Sequence, residues 1–169
     1  TARWLGAEDI QITDKVLCPV SGQPAKAENH LKHMGRMVYF CCKDCPKAFE
    51  ADKADYAAKA NHQLVLTGQA VQVACPLSGK AVKKDTTADV MGVEVGFCCG
   101  NCQGKVKKAD DAAKLDLVFA KFDKGFTVQT KCPVSGKSIN AAVSLDHEGK
   151  AVYFCCEGCP AAFKKDPAK

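Results

Sequence analysis

Four cysteine columns recur three times in this chain, each at an interval of 57 residues. Cys18, Cys75 and Cys132 form one column, and Cys41, Cys98 and Cys155 a second. Cys42, Cys99 and Cys156 form the third, and Cys45, Cys102 and Cys159 the fourth. All 12 cysteines of the 169-residue sequence fall in these columns. A fixed internal period of this length marks a tandem array of small units rather than one large fold. Pro19, Ser21, Gly22, Gly35, Val38 and Phe40 repeat in the same register. The array divides into repeats at 1–68, 69–126 and 127–169.

Each repeat reads alike. An apolar–polar run ("IQITDKVLC", "QAVQVAC", "FTVQTKC") leads into the first cysteine and predicts a strand. The C-P-x-S-G that follows is a tight turn, in which Pro fixes one dihedral and Gly permits a positive one. A hairpin then bends near Gly35, Gly92 or Gly149 and returns through "RMVYFC", "VEVGFC" or "KAVYFC". Alternation on the return strand sets Val38 and Phe40 on one face and Tyr39 on the other. A helix begins at C-C-x-x-C. In the first repeat it is Ala- and Lys-rich and is expected to end near Asn61. Phe49, Val106 and Phe163 are expected to turn back from the helices onto the hairpins, and Trp4 to anchor the N-terminal segment. The fold class is therefore α+β: three small units, each a knuckle turn, a β-hairpin and a helix.

Units of fewer than 60 residues bury little apolar surface and commonly need a disulfide or metal staple. Four thiols per unit supply one. The turn offers backbone N–H groups to the first sulfur, and the helix start offers partial positive charge to the others; both favour thiolate. Four thiolates around a tetrahedral ion make a closed zinc site. The candidate ligands are Cys18, Cys41, Cys42 and Cys45; Cys75, Cys98, Cys99 and Cys102; and Cys132, Cys155, Cys156 and Cys159. One zinc ion per repeat, three per chain, is expected. Copper(I) is the alternative, because soft thiolates suit both ions.

The spacing C-x(22)-C-x(3)-C from Cys18 through Cys41 to Cys45, with its "VYFC" lead-in, resembles the TRASH and YHS group of small treble-clef metal-binding domains. The related MYM-type zinc fingers carry C-x-x-C in the turn and F-C-S-x-x-C after the hairpin. Here Ser21 stands at the second turn cysteine and Cys42 at the serine, and both other repeats make the same exchange. The resemblance covers about the first 45 residues of each period. It implies a treble-clef fold and, as a family expectation, heavy-metal sensing or trafficking. Proteins resembling this tandem arrangement are often bacterial and exported. A first residue of Thr1 rather than Met fits removal of a leader. An exported, periplasmic location is the expectation, and a cytoplasmic one the alternative.

Other uses of the cysteines are less well matched. Two disulfides per repeat would have to leave the adjacent pair Cys41–Cys42 separately, although spacing alone fixes no connectivity. A thiol–disulfide redox motif at a helix start lacks its βαβ context here and carries two extra sulfurs. His33 and His147 share a column that holds Val90 in the second repeat, and His30 and His62 align with Thr87 and Phe119. A ligand common to all repeats must be present in all, so the histidines read as exposed hairpin and loop residues.

The charge of +5 invites a nucleic-acid partner. Three divalent ions in four-thiolate sites would lower the net to about −1, and no basic stripe interleaves with aromatics. Nucleic acid is therefore not the expected partner, and a protein partner is left unspecified. No phosphate-cradling loop, nucleophile elbow or histidine–carboxylate metal motif is present, so no enzyme is expected. No apolar run is long enough to span a bilayer. The metal reading thus takes two forms: zinc as a staple in a structural or interaction array, or a soft ion stored, sensed or passed on.

Overall fold

A computed structural model describes residues 10–167; the expected role of Trp4 lies outside them. The described chain is α+β and divides into two compact units, one up to Val128 and one from Gln129 onward. The first unit carries two of the three cysteine periods.

Each period contains an antiparallel hairpin: β1 (Lys26–His33) with β2 (Arg36–Phe40), β4 (Thr87–Val90) with β5 (Val93–Gly96), and β7 (Asn140–His147) with β8 (Lys150–Phe154). Two residues close each one. His33 pairs Arg36 across Met34–Gly35, and both turn residues have positive φ, at 53° and 74°. That is what a tight two-residue turn needs to match the strand twist. Met91–Gly92 and Glu148–Gly149 repeat it, so the bends fall where the glycine column placed them.

Alternation along β2 holds. Val38 and Phe40 are fully buried on one face, while Tyr39 is buried on the other against Val16 and Ala25. Phe49 meets Phe40 edge-on at 5.6 Å, and Phe163 meets Phe154 at 5.4 Å. Val106 is fully buried at the matching position. Full burial of one such ring is worth about 1.5–3 kcal/mol.

Two expectations need correction. The strands leading into the first cysteines are mostly absent. Only β3 (Val71–Gln72) and β6 (Phe126–Thr127) form, pairing with each other, while Leu17 and Lys131 make single bridges. The first helix does not run unbroken to Asn61. It divides into α1 (Cys45–Ala51) and α2 (Lys53–Leu66) at Asp52, whose carboxylate accepts the Asp55 N–H and starts α2 afresh. Short polar side chains favour this capping role over a helix interior. The second period does likewise: α3 (Gly100–Lys108) gives way to α4 (Asp111–Phe119), with Asp110 capping Ala113, and then to α5 (Phe122–Gly125). In the second unit α6 (Gly158–Lys165) follows β8.

The first two periods share one core. Phe40, Phe49, Leu64, Phe97, Phe119 and Phe126 belong to a single buried cluster. Helix α2 lies against α4. His62 and Phe119, which occupy the same repeat position, stack on each other edge-to-face at 5.2 Å. Equivalent residues meeting each other are what a two-fold relation produces. By contrast, the buried core of the second unit consists of Cys132, Phe154, Cys159 and Phe163.

Glutamine amides complete the hairpin edges. Gln72 accepts the Gly96 N–H at 2.8 Å and donates to the Gly96 carbonyl at 2.7 Å. Gln129 does the same for Tyr153, at 2.9 and 2.6 Å. In the first period Lys15 stands in that column, and Gln63 of α2 takes over, clamping Tyr39 at 2.7 and 2.9 Å. A buried strand edge leaves N–H and C=O groups that must find partners.

Candidate metal centre

The first cysteine of each set sits in a closed turn. Cys18 donates its N–H to the Gln23 carbonyl at 2.8 Å and accepts the Gly22 N–H at 2.9 Å. Cys75 and Cys132 make the same pair of bonds. Gly22, Gly79 and Gly136 have φ between 70° and 74°, which glycine adopts at no steric cost. The turn thereby fixes each sulfur in place, and all three are almost wholly buried.

The hairpin and the helix start bring up the partners. The sulfurs of Cys18, Cys41 and Cys45 all lie within 4.8 Å of one another. So do those of Cys75, Cys98 and Cys102, and those of Cys132, Cys155 and Cys159. The spacing between second and fourth cysteines is 3.6, 3.8 and 3.6 Å in the three periods. With metal–sulfur bonds of about 2.3 Å, the vertices of a tetrahedron stand about 3.8 Å apart. The donor sets therefore fit a thiophilic ion in both chemistry and separation. Three cysteine clusters able to hold metal ions are what the fold assembles.

Cys42, Cys99 and Cys156 fall outside these trios but adjoin them. Cys42 Sγ is 3.3 Å from Cys45 Sγ, and Cys156 Sγ is 3.4 Å from Cys159 Sγ; both residues are exposed. Cys99 is half-buried and contacts Cys98 at 3.7 Å. Its backbone is extended and caps α3, whereas α1 begins only at Cys45. The middle period thus presents its third-column sulfur differently.

Ser21, Ser78 and Ser135, which the sequence places where a second turn cysteine would stand, lie against the clusters. Their hydroxyl oxygens lie 3.1, 3.1 and 3.0 Å from the sulfurs of Cys41, Cys98 and Cys155. Each oxygen also accepts a backbone N–H two residues on, from Gln23, Lys80 and Lys137. Each hydroxyl is thus held by its turn in hydrogen-bond contact with a cluster sulfur. A serine in place of a turn cysteine thus becomes a hydrogen-bond partner of a cluster sulfur.

The protonation pattern follows from this geometry. Burial pushes the Cys18 thiol up, but the Ser21 hydroxyl and the N–H groups of Ser21, Cys41 and Val20 outweigh it and leave about 7. Cys75 and Cys132, with Ser78 and Ser135 opposing burial in the same way, come to about 6. Cys45 is driven far up by burial and by the neighbouring thiols. Burial raises Cys102 to about 12, and the Cys156 thiol and burial do the same for Cys159. Each trio therefore pairs a ready thiolate with a thiol that only a cation would ionise, since like charges cannot crowd an ion-free site.

The histidines serve packing. His33 and His147 stand half-buried against Phe49 and Phe163, at 5.4 and 5.2 Å, and His30 is exposed. His62 departs from the exposed position expected of it: it is buried on α2 and donates to the carbonyls of Val90 and Met91. None of them joins a cysteine trio.

Comparison with protein-family models, curated proteins and solved structures gave no match. Among the described residues, no helix is long and apolar enough to cross a membrane.

Proposed function

We propose that the chain is a metal-binding array that holds one zinc ion per repeat, three in all, in treble-clef-like sites of the TRASH/YHS kind. The observation carrying this is the 3.6–3.8 Å separation of second- and fourth-column sulfurs, repeated in all three periods. The trios supply three thiolates to each ion. Cys42, Cys99 and Cys156 supply the fourth from the rim. Four thiolates leave no open position for a water nucleophile, so the sites are structural rather than catalytic. The array then offers its surfaces for interaction, with neither nucleic acid nor a membrane as the expected partner.

A second reading, in which a soft ion such as copper(I) or zinc is cargo, is favoured in the first unit by its core. The buried cluster there contains six phenylalanines besides its cysteines, so the fold has a source of stability other than metal. Exposure of Cys42 also leaves one ligand within reach of an acceptor. Native mass spectrometry with elemental analysis, on protein prepared without added metal, tests both readings. Three ions per chain are expected, and their identity separates zinc from copper. A chain that refuses every thiophilic ion overturns the proposal.

A further inference from the structure

The middle cysteine site opens onto a cleft. The cleft has a volume of about 570 Å³, within the range of small-molecule sites. Cys102 lines it, together with Pro76 and Leu77 of the turn. Its opposite wall comes from α4 and α5. Lys105, Lys121 and Lys124 face Asp116 as the single carboxylate of the lining. Lys124 is tied down, donating to the Leu77 carbonyl at 2.6 Å. The one salt bridge among the described residues joins Lys114 to Asp111, so none of the three lysines is neutralised by one. Asn101 and Cys102 belong to the first turn of α3, and their N–H groups hydrogen-bond the Cys99 sulfur.

The first period carries no lysine at these three columns. Ala48 and Ala162 occupy the column of Lys105, and Leu64 and Thr67 stand in those of Lys121 and Lys124. Asp44, at the column of Asn101, brings a negative charge to the corresponding place in the first period.

We propose that this cleft binds a small thiol bearing two carboxylates, which exchanges with the ion of the middle site. The carboxylates would lie on Lys105 and Lys121, the short apolar body on Leu77 and Leu117, and the sulfur beside Cys102. In the exchange the incoming thiol gives its proton to solvent and its sulfur bonds the ion. One cysteine–metal bond breaks, and the freed cysteine takes up a proton. No electron is transferred. This inference rests on the metal-binding reading and adds to it an exit route for one ion of the three.

The test uses the full chain loaded with zinc, its stoichiometry checked by elemental analysis, and a coloured zinc chelator to follow release. Mercaptosuccinate is the dianionic probe, and 2-mercaptoethanol at equal thiolate concentration the neutral one. One ion of the three should leave about tenfold faster with mercaptosuccinate than its neighbours do, the scale of charge-steered encounter, and excess succinate should slow it. The variant K105A/K121A, altered only at exposed side chains, should return that ion to the rate of the other two. Three ions released alike, or a preference that survives in the double variant, would overturn the cleft proposal while leaving metal binding intact. A chain that loads no zinc would overturn both.

Discussion

The hydroxyl of Ser21 lies 3.1 Å from the sulfur of Cys41, and its oxygen is held by the N–H of Gln23. One residue therefore ties the knuckle turn to the hairpin end of the cluster. Ser21→Ala removes this hydrogen bond, and in the zinc-loaded site proposed above, where the sulfur would be a thiolate, such a bond contributes about 1.5–3 kcal/mol. The first site should bind zinc about ten- to a hundredfold more weakly, with the other two unchanged. Competition against a chelator of known affinity reads this directly. An unaltered affinity would show that the hydroxyl contributes nothing to the thiolate.

Gln63 is almost completely buried, and its amide serves Tyr39 twice and the Leu17 carbonyl once. Truncation to Ala strands an N–H and two carbonyls in the core. Each buried unsatisfied group costs about 1–3 kcal/mol, so the first unit should lose about 3 kcal/mol or more. Urea unfolding followed by far-UV circular dichroism provides the measurement. Lys15→Gln, which restores the clamp column of the other periods, should not rescue the variant, because Gln63 also reaches Leu17.

Why this clamp escapes sequence reading is instructive. Periodicity reveals what every repeat does in the same place, and the glycine bends, the cysteine columns and the Phe40–Phe49 packing were legible for that reason. The edge clamp is supplied by Gln72 and Gln129 in one column but by Gln63 from a different element, so no column carries it. The break at Asp52 carries only the weak signature of a short polar side chain, in a run otherwise of good helix formers without Gly or Pro. The shared core of the first two periods was hidden because a repeat pattern describes each unit and not the contact between units. His62 shows the consequence: read by column it is a failed ligand, and in the fold it is a buried interface residue. At the candidate site, nine of the twelve cysteine positions converge as trios, while the part played by Ser21 required knowing where its oxygen points.

His62 also makes stability depend on pH. Burial lowers its pKa below the ordinary 6.5, outweighing the Val90 and Met91 carbonyls and Asp89, which pull the other way. The unfolded chain therefore binds the proton more readily than the folded one. Stability is fully present above the ordinary value and falls as the pH drops below it toward the lowered value. Thermal unfolding of the first unit at pH 7.5 and 5.5 should show a loss that His62→Phe abolishes. Phe is already the residue at this repeat position in the middle period. A variant that keeps the full pH dependence would assign it to other groups.

Gly125 abuts the turn of the middle site, and a β-carbon there would come within 2.7 Å of the Pro76 backbone. Its carbonyl accepts the N–H groups of Val73 and Ala74, which lead straight into Cys75. Gly125→Ala must push α5 away from the knuckle. The middle site should lose affinity for zinc by about tenfold while the first and third keep theirs, since a misplacement of this size costs about 1–3 kcal/mol. Chelator competition that resolves the three sites separates this from a general loss of fold, which would weaken the first site as well.

Metal removal should act unequally on the two compact units. In the first, Phe40, Phe49, Phe97, Phe119, Phe122 and Phe126 are buried together and do not depend on an ion for their packing. In the second, two of the four buried core residues are Cys132 and Cys159 themselves. A core that small gives little margin against chain entropy, so an ion shared by the turn and the helix carries much of its stability. Addition of a strong chelator should therefore expose the amides of 129–167 to rapid hydrogen exchange while β2, α2 and α4 remain protected. Mass spectrometry of peptic fragments distinguishes the two regions. Equal protection of both units after complete removal of the metal would mean that no ion acts as a staple. Collapse of both would make the ion structural throughout and exclude cargo in the first unit.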